Sequence, residues 1–257
     1  MGIVNVTPDS FSDGGQHIGL QDALNHAEQL VSEGADILDI GGESTRPGAP
    51  EVSVEQELGR VLPVVQVLAD KGYCVSIDTR KPEVMREAIK AGANIVNDVM
   101  ALTAPGALEV CDASKVGVVL MHMRGNPQTM QVEPHYDDVV REVSDFLVTR
   151  AQACEAAGIE RDRIMLDPGF GFGKTIDHNL ELTQRLHELV ARGYPVLAGW
   201  SRKKTIGALT GRDVPVERVH GSVAAALACV AQGARVVRVH DVAETVDALK
   251  VWRVMAR

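Results

Sequence analysis

The stretch Leu30–Gly42 reads LVSEGADILDIGG, and it contains the pattern that decides the fold. Its first residues end an amphipathic segment whose apolar side chains recur at helical spacing from Leu20 onward. Gly34 suits the left-handed conformation in which many helices stop. The run Asp36–Ile40 is rich in Ile and Leu, as expected of a strand that is buried in a parallel sheet. The stretch therefore predicts a helix, a sharp helix end and a buried strand.

The same order recurs along the chain. A helix-ending glycine precedes a strand-like run at three more places, Gly92, Gly193 and Gly233. The strand-like runs are Gly2–Val6, Asp36–Ile40, Cys74–Ile77, Asn94–Val96, Gly117–Met121, Arg163–Leu166, Pro195–Ala198 and Ala234–Val239. Eight runs in 257 residues leave roughly 32 residues for each unit, the length of one strand and one helix.

Eight such units with no polar linker between them predict an α/β protein, a single-domain (β/α)₈ TIM barrel over residues 1–257. An open, doubly wound sheet is the alternative. Such a sheet would be expected to carry a glycine fingerprint after its first strand, and Val6-Thr7-Pro8-Asp9 contains none.

The composition, with 45% hydrophobic and 24% charged residues, is typical of a globular protein. The 26 Lys and Arg against 35 Asp and Glu leave a net charge of −9, which argues against nucleic-acid binding and against an anionic membrane surface. No membrane-spanning run or signal peptide is recognisable, and the four cysteines form no CxxC pair. We therefore expect a cytoplasmic protein with reduced thiols.

Each strand-like run ends in a group that can form hydrogen bonds or carry charge. In chain order these groups are Asn5, Asp39, Asp78, Asn97 with Asp98, His122, Asp167, Ser201 with Arg202 and Lys203, and Arg238 with His240. A single such residue is as easily a helix N-cap. Because the C-terminal strand ends of a barrel meet at one face, the whole set predicts a polar pocket.

The residue types in this pocket indicate a flat nitrogen heterocycle that carries a phosphate ester. Acceptors and an amide for the edge of a heterocycle come from Asp39, Asp78, Asn97 and Asp167. Cations suited to phosphate are Arg46, Lys203 and Arg238. Asn5 and the strand-end carboxylates could help to hold Mg²⁺ through oxygen.

Three loops at this face are notable. Thr7–Gly15 and Gly41–Gly48 are long for connections of this kind, so we expect mobile lids. The third, Asp167–Thr175, resembles a P-loop, but only three residues separate Gly169 from Gly173 where that motif needs four. No nucleophile has a neighbouring base in the sequence, which favours catalysis by positioning and electrostatics.

Several motifs together resemble those of the dihydropteroate synthase family. The two most specific are Ile3–Gly15 (IVNVTPDSFSDGG) and Gly41–Gly48 (GGESTRPG). The others follow in the family's order at Ser76–Thr79, Asn97–Asp98, Asp167–Phe172, Ser201–Lys203 and Arg238–Asp241. The resemblance covers essentially the whole chain. It implies a (β/α)₈ enzyme of folate synthesis that joins 4-aminobenzoate to (7,8-dihydropterin-6-yl)methyl diphosphate and releases diphosphate, with Mg²⁺ present.

The resemblance also implies roles for the matching residues. The pterin would contact Asp39, Asp78, Asn97, Asp167 and Lys203. The diphosphate would contact Thr45, Arg238, Val239 and His240, and Asn5 would contribute to Mg²⁺ binding. The aminobenzoate would contact Arg46, Pro47, Phe172 and Lys203. The expected catalytic groups are Asp78, Asp167, Lys203 and Arg238. The family's homodimers imply a dimer here through helices around residues 215–232 and 241–256.

One position departs from the family pattern: Lys204 stands where a small hydroxyl residue is common. We expect Lys204 to begin a helix whose first backbone N–H groups, with those of Thr205, bind the aminobenzoate carboxylate.

Two other functions would share part of this pattern. A methyltetrahydrofolate methyltransferase-like barrel would share the groups that bind pterin but needs no diphosphate site, and the Arg238–His240 motif argues against it. A non-catalytic pterin-binding protein would be expected to lack Asn5, Lys203 or Arg238, and all three are present.

Overall fold

The structure is a computed structural model, and it describes residues 1–6, 16–44, 49–125, 130 and 134–256. The strands of this part are β1 (Gly2–Asn5), β2 (Leu38–Gly41), β3 (Val75–Asp78), β4 (Ile95–Asp98), β5 (Gly117–Met121), β6 (Ile164–Asp167), β7 (Leu197–Ala198) and β8 (Val236–Val237). Its helices are α1 (Gln16–Ser32), α2 (Val54–Asp70), α3 (Pro82–Lys90), α4 (Ala107–Ser114), α5 (Val139–Ala156), α6 (Ile176–Gln184), α7 (Leu186–Val190), α8 (Lys204–Thr210), α9 (Val219–Ala231) and α10 (Val242–Met255). Short 3₁₀ turns span Arg161–Arg163 and Pro215–Arg218.

The strands form a closed parallel barrel. β1 to β6 pair in chain order, and β7 pairs with β8. Single parallel bridges then join Leu166 to Val196 and Gly2 to Val239, which link the two groups of strands at both edges. Backbone hydrogen bonds at the second junction run from Ile3 N–H to Val239 O (3.0 Å) and from Val239 N–H to Met1 O (2.9 Å). The (β/α)₈ prediction is confirmed, and the doubly wound sheet is wrong because that fold does not pair its strands in sequential order.

Apolar residues pack in two layers. The outer layer lies between strands and helices and includes Val4, Ile40, Ile77, Val96, Leu120 and Leu166. A smaller inner cluster of Met1, Val119 and Leu197, with Ile37, Ile95, Met165 and Val236 against it, fills the barrel toward the N-terminal ends of the strands. Toward the C-terminal ends the cross-strand register aligns Asn5, Gly41, Asp78 and Asn97 in one row. The barrel thus has an apolar base and a polar opening.

The predicted helix ends are confirmed. Gly34, Gly92, Gly193 and Gly233 all have positive φ, between 82° and 105°. The apolar residues Leu182, Leu186, Leu189 and Val190 recur at the spacing of a single helix, but the helix is broken at Arg185 into α6 and α7. The Arg185 guanidinium there binds Glu181 and Glu188 on either side of the break.

No single helix in the described residues is long and apolar enough to cross a membrane. Taken together, α8 and the segment Pro215–Ala231 have the length and composition of a membrane span, but they are bent by 73° relative to each other. All four cysteines lie in described parts of the chain as free thiols.

Candidate active site

Arg238, directly after β8, joins side chains from two other strands, and a third strand adds Asn97. Its Nε donates to Asp39 Oδ2 (2.6 Å), and its Nη2 donates to Asp78 Oδ2 (2.8 Å). Asn97 Nδ2 donates to the same Asp39 oxygen (3.1 Å). The barrel therefore brings these four predicted residues into one hydrogen-bonded network.

This network is short of positive charge, because one guanidinium faces two buried carboxylates. Burial raises the pKa of Asp78 to about 7, and the negative charges of Asp39, Glu57 and Asp98 add to the effect while Arg238 opposes it. For Arg238, burial opposes the charge, but Asp39 and Asp78 raise its pKa above the ordinary value. Among the described residues no group bonds to Asp39 Oδ1, so this buried oxygen is free to accept a ligand's N–H.

Asp167 and Lys203 lie near each other beside this network, and we call them the Asp167–Lys203 pair. A methyl group on Gly199 would lie 3.9 Å from both Asp167 Oδ2 and Lys203 Nζ, so this glycine keeps the space next to both groups open. Asp167 Oδ1 accepts the Gly169 N–H (2.7 Å). Burial lowers the pKa of Lys203 to about 8, although Asp167 counteracts this, and burial raises the pKa of Asp167.

The loop after β6 provides the surroundings of Lys203. The Lys203 ammonium donates to the Phe170 carbonyl and lies 4.6 Å from the centre of the Phe172 ring. Phe170 is fully buried against Trp200, with ring centres 4.9 Å apart, whereas Phe172 is half-buried. The predicted proximity of Phe172 and Lys203 is present.

Ser201 and His240 meet at the end of the barrel where β7 and β8 pair. His240 Nδ1 lies 2.9 Å from Ser201 Oγ, which also accepts the His240 N–H (3.1 Å). Arg202, between Ser201 and Lys203, has φ 58° and is held by Asp241 through Nε (3.1 Å) and Nη2 (2.5 Å). The Arg202–Asp241 ion pair fixes the short turn that places Lys203 at the opening.

Asn5 flanks the same opening. A methyl group on Gly41 would lie 3.8 Å from Asn5 Oδ1 and 3.9 Å from Asp78 Oδ2. Among the described residues no group of three or more His, Cys, Asp or Glu side chains could hold a metal ion. The described part of the chain therefore offers amide and carboxylate oxygens at this point, but no all-protein metal cage.

Three strand-end residues that were expected at the pocket instead contact other parts of the protein. Asp98 accepts the N–H groups of Met100 (2.8 Å) and Leu102 (2.7 Å) and so shapes the turn after β4. His122 is buried, and burial together with nearby Lys174 lowers its pKa to about 2. Val239 closes the barrel through its backbone, and its side chain belongs to the outer core, so its expected diphosphate contact stays a prediction.

Some predictions lie outside the described residues. These are the contacts of Thr45, Arg46 and Pro47, and the expected lid behaviour of Thr7–Gly15 and of the part of the second loop at 45–48. Lys204 is described, and the prediction that it begins a helix, α8, is confirmed.

Sequence reasoning missed a buried charge cluster beside the second loop. Lys81 Nζ donates to Glu57 Oε2 (2.6 Å) and to Glu43 Oε2 (3.0 Å), and Glu57 is fully buried. A signal was present, because Glu57 lies four residues before Val61 and so shares the apolar face of α2. The burial of Lys174 was also not predicted, because its motif was compared only with a P-loop.

The chain matches a family model described as pterin binding enzyme over residues 1–240. It belongs to that family. The dihydropteroate synthase of Neisseria meningitidis serogroup B is 57% identical over 261 residues, covering 99% of this chain and 92% of the relative.

Solved structures agree with this membership. Dihydropteroate synthase from Xanthomonas albilineans with 4-aminobenzoic acid is 56% identical, with a TM-score of 0.94. The Xanthomonas albilineans synthase in complex with 7,8-dihydropteroate is 54% identical, with a TM-score of 0.91. Each comparison covers 99% of this chain and 92% of the other. The chain is thus an enzyme of the dihydropteroate synthase type, and neither alternative function is supported.

Proposed function

We propose that this enzyme condenses (7,8-dihydropterin-6-yl)methyl diphosphate with 4-aminobenzoate, forming 7,8-dihydropteroate and diphosphate. The observation that carries the proposal is the network of Asp39, Asp78, Asn97 and Arg238 beside the Asp167–Lys203 pair. Relatives with known structures bind 4-aminobenzoic acid and 7,8-dihydropteroate, which supports the same ligands here.

The pterin would bind to the acidic groups. Its aminopyrimidine edge presents several N–H donors, Asp167 and the free Oδ1 of Asp39 are buried acceptors, and Asp78 is a partly buried one. Asn97 would add an amide that both donates and accepts. Binding of the pterin at Asp39 and Asp78 would replace part of the contact with Arg238, and the released guanidinium could then face the diphosphate together with His240 and Thr45.

The reaction would proceed by departure of diphosphate before attack. Loss of diphosphate leaves a cationic methylene on the pterin, which the aniline nitrogen of 4-aminobenzoate attacks. Asp78 and Asp167 would stabilise the cation, and Arg238 and His240 would stabilise the departing anion. This route requires no protein nucleophile.

Mg²⁺ fits the opening only with the help of substrate. Asn5 Oδ1 and the nearby Asp78 carboxylate are hard oxygen donors, and Mg²⁺ commonly takes one or two protein oxygens and completes its shell with phosphate and water. We propose Asn5 as a protein ligand. When bound, the ion would neutralise charge on the leaving diphosphate.

The 4-aminobenzoate would lie between Phe172 and Lys203, with Arg46 and Pro47 closing the subsite. The first backbone N–H groups of α8, at Lys204 and Thr205, would assist with the carboxylate whatever side chain stands at 204.

We also propose a cytoplasmic homodimer formed through α9 and α10. Large apolar side chains are exposed on α10, namely Val251, Val254 and Met255, and Val216 is exposed in the turn before α9. Clusters of exposed apolar side chains are typical of an interface between subunits.

The test is a diphosphate-release assay with both substrates, with and without Mg²⁺. We expect diphosphate and 7,8-dihydropteroate in equal amounts, with the rate dependent on Mg²⁺ and on 4-aminobenzoate. Diphosphate release that does not need 4-aminobenzoate, or the absence of any product, would contradict the proposed function.

A further inference from the structure

Lys174 has a buried ammonium group with no carboxylate partner. It ends the loop that follows β6, and the residue is only 3% exposed. No Asp or Glu in the described part of the chain lies within ion-pair distance of it. Burial of an unpaired cation is unfavourable, and it lowers the pKa of Lys174 well below the ordinary value. An apolar side chain would avoid this penalty but would leave the carbonyl groups that Lys174 binds without this donor.

Its partners are backbone carbonyls and one imidazole. Nζ donates to the carbonyls of Gly169 (3.0 Å) and Phe172 (3.0 Å). It also lies 2.9 Å from His122 Nδ1 and 3.4 Å from the His122 carbonyl, at the end of β5. The group therefore ties the segment Gly169–Phe172 to the neighbouring strand at two points.

The tied segment touches both members of the Asp167–Lys203 pair. The Gly169 N–H donates to Asp167, the Phe170 carbonyl accepts from Lys203, and the Phe172 ring lies under the Lys203 ammonium. A change in the path of this segment would displace all three contacts together, although Lys174 itself is buried away from the opening.

We propose that Lys174 is a positioning residue for the condensation: it fixes Gly169–Phe172 so that Lys203 and the Phe172 ring meet the second substrate. This inference rests on the proposed function for the identity of that substrate, 4-aminobenzoate. The lysine of the Gly173-Lys174-Thr175 sequence thus binds the protein's own carbonyls, where a P-loop lysine would bind phosphate.

Arg163, next to the other end of β6, provides a matched control. It precedes β6 at the opposite end, and its guanidinium also binds carbonyls, those of Val116 (2.9 Å) and Cys111 (2.7 Å). Arg163→Met and Lys174→Met therefore remove the same kind of contact, one far from the site and one beside it.

The experiment compares steady-state kinetics of the wild type, Lys174→Met and Arg163→Met. We expect both variants to unfold more easily, and only Lys174→Met to raise KM for 4-aminobenzoate, by about tenfold or more, with a smaller change for the pterin substrate. Unchanged KM values in Lys174→Met would overturn the proposal. So would equal changes in Lys174→Met and Arg163→Met, because a purely structural role predicts them.

Two further measurements keep the proposal testable. If Lys174→Met does not fold, Lys174→Gln retains an amide donor without the charge and should show a smaller KM increase in the same direction; no increase overturns the proposal.

The ¹⁵N signal of His122 Nδ1 reports its contact with Lys174 Nζ without turnover, and we expect this signal to change on loss of Lys174 but not on loss of Arg163. An inactive wild type would defeat the proposed function, whereas an unchanged His122 signal would defeat this inference.

Discussion

Arg238 shows how single residues set the charge of the opening. Its guanidinium contacts Asp39 and Asp78 at once, so the two carboxylates share one cation. The same opening holds Lys203, whose pKa is lowered to about 8 by burial. Two groups of the opening, Asp78 and Lys203, therefore have pKa values near neutrality.

We predict a bell-shaped pH dependence of kcat/KM for the pterin substrate. As the pH falls through about 7, Asp78 takes up a proton and loses acceptor strength, so activity declines. As the pH rises through about 8, Lys203 loses its proton, and activity declines again. Stopped or continuous diphosphate assays across this range check the profile. In Asp78→Asn the acid limb should disappear along with most of the activity; an acid limb that persists at the same pH would assign it to another group.

A second prediction concerns pterin binding itself. Asp78→Ala and Asp167→Ala each leave an N–H of the bound heterocycle unpaired, which should weaken pterin binding by about 1–3 kcal/mol or more. Calorimetric titration with a pterin ligand measures this, and thermal unfolding shows whether the fold is kept. Asp177→Ala, an exposed acidic residue in the first turn of α6, is the control and should bind like the wild type. Wild-type affinity in both site variants would be inconsistent with the assigned pocket.

Among the elements, the loop between β6 and α6 is the most constrained. Gly169 has φ +67°, and a Cβ there would lie 1.9 Å from the His122 carbonyl oxygen. Gly211, after α8, has the same φ of +67° with nothing within 4 Å. The two glycines thus have the same φ, and they differ in the space that a side chain would find.

We predict different outcomes for the two alanine variants. Gly211→Ala should lose only about 1–2 kcal/mol, the strain of a left-handed alanine. Gly169→Ala meets the same strain and a backbone clash, so it should lose more stability, and its turnover should fall because the Asp167 contact moves. Urea unfolding and the diphosphate assay on both variants provide the comparison. Equal losses would show that the close approach to His122 has no effect.

The elements and the helix ends marked by glycine are largely predictable from the sequence, but the ends of the strands are not. The strand-like runs ended at Ile77 and Leu166, whereas β3 and β6 continue to Asp78 and Asp167. A parallel ladder needs only backbone groups, so it includes the first polar residue after the apolar run. Neighbouring residues such as Asn97 and Asp98 were indistinguishable in the sequence, since the alternation of a strand sends one into the pocket and the other to the turn.

Long-range partners could not be predicted in the same way. The pattern indicated that Asp39, Asp78 and Arg238 share one face, but not that Arg238 binds both carboxylates. The buried position of Lys174 depends on carbonyls from two loops, and no spacing in the sequence encodes carbonyl positions. Such contacts follow only from the closed barrel.

At the scale of the whole molecule, barrel closure leaves the outer faces of the last helices uncovered. Val254 and Met255 of α10 are 73% and 79% exposed, and Val251 lies one turn earlier. We predict that Val251→Glu combined with Val254→Glu converts the proposed homodimer to a monomer, because the charges would be buried in the proposed interface. Sedimentation velocity measures the change. Ile176→Glu, which replaces an exposed apolar residue on α6, should stay dimeric; a wild type that sediments as a monomer would remove the dimer proposal.

The Arg238 contact also bears on how this protein should be unfolded in the laboratory. Its two carboxylates hold a planar guanidinium, and the N–C(NH₂)–N unit of a pterin has a similar shape and similar donors. Free guanidinium is a third group of this kind. We therefore expect guanidinium chloride to compete with pterin at concentrations well below those that denature, so the common denaturant would act first as a weak ligand. Urea, which carries no charge, would report unfolding alone.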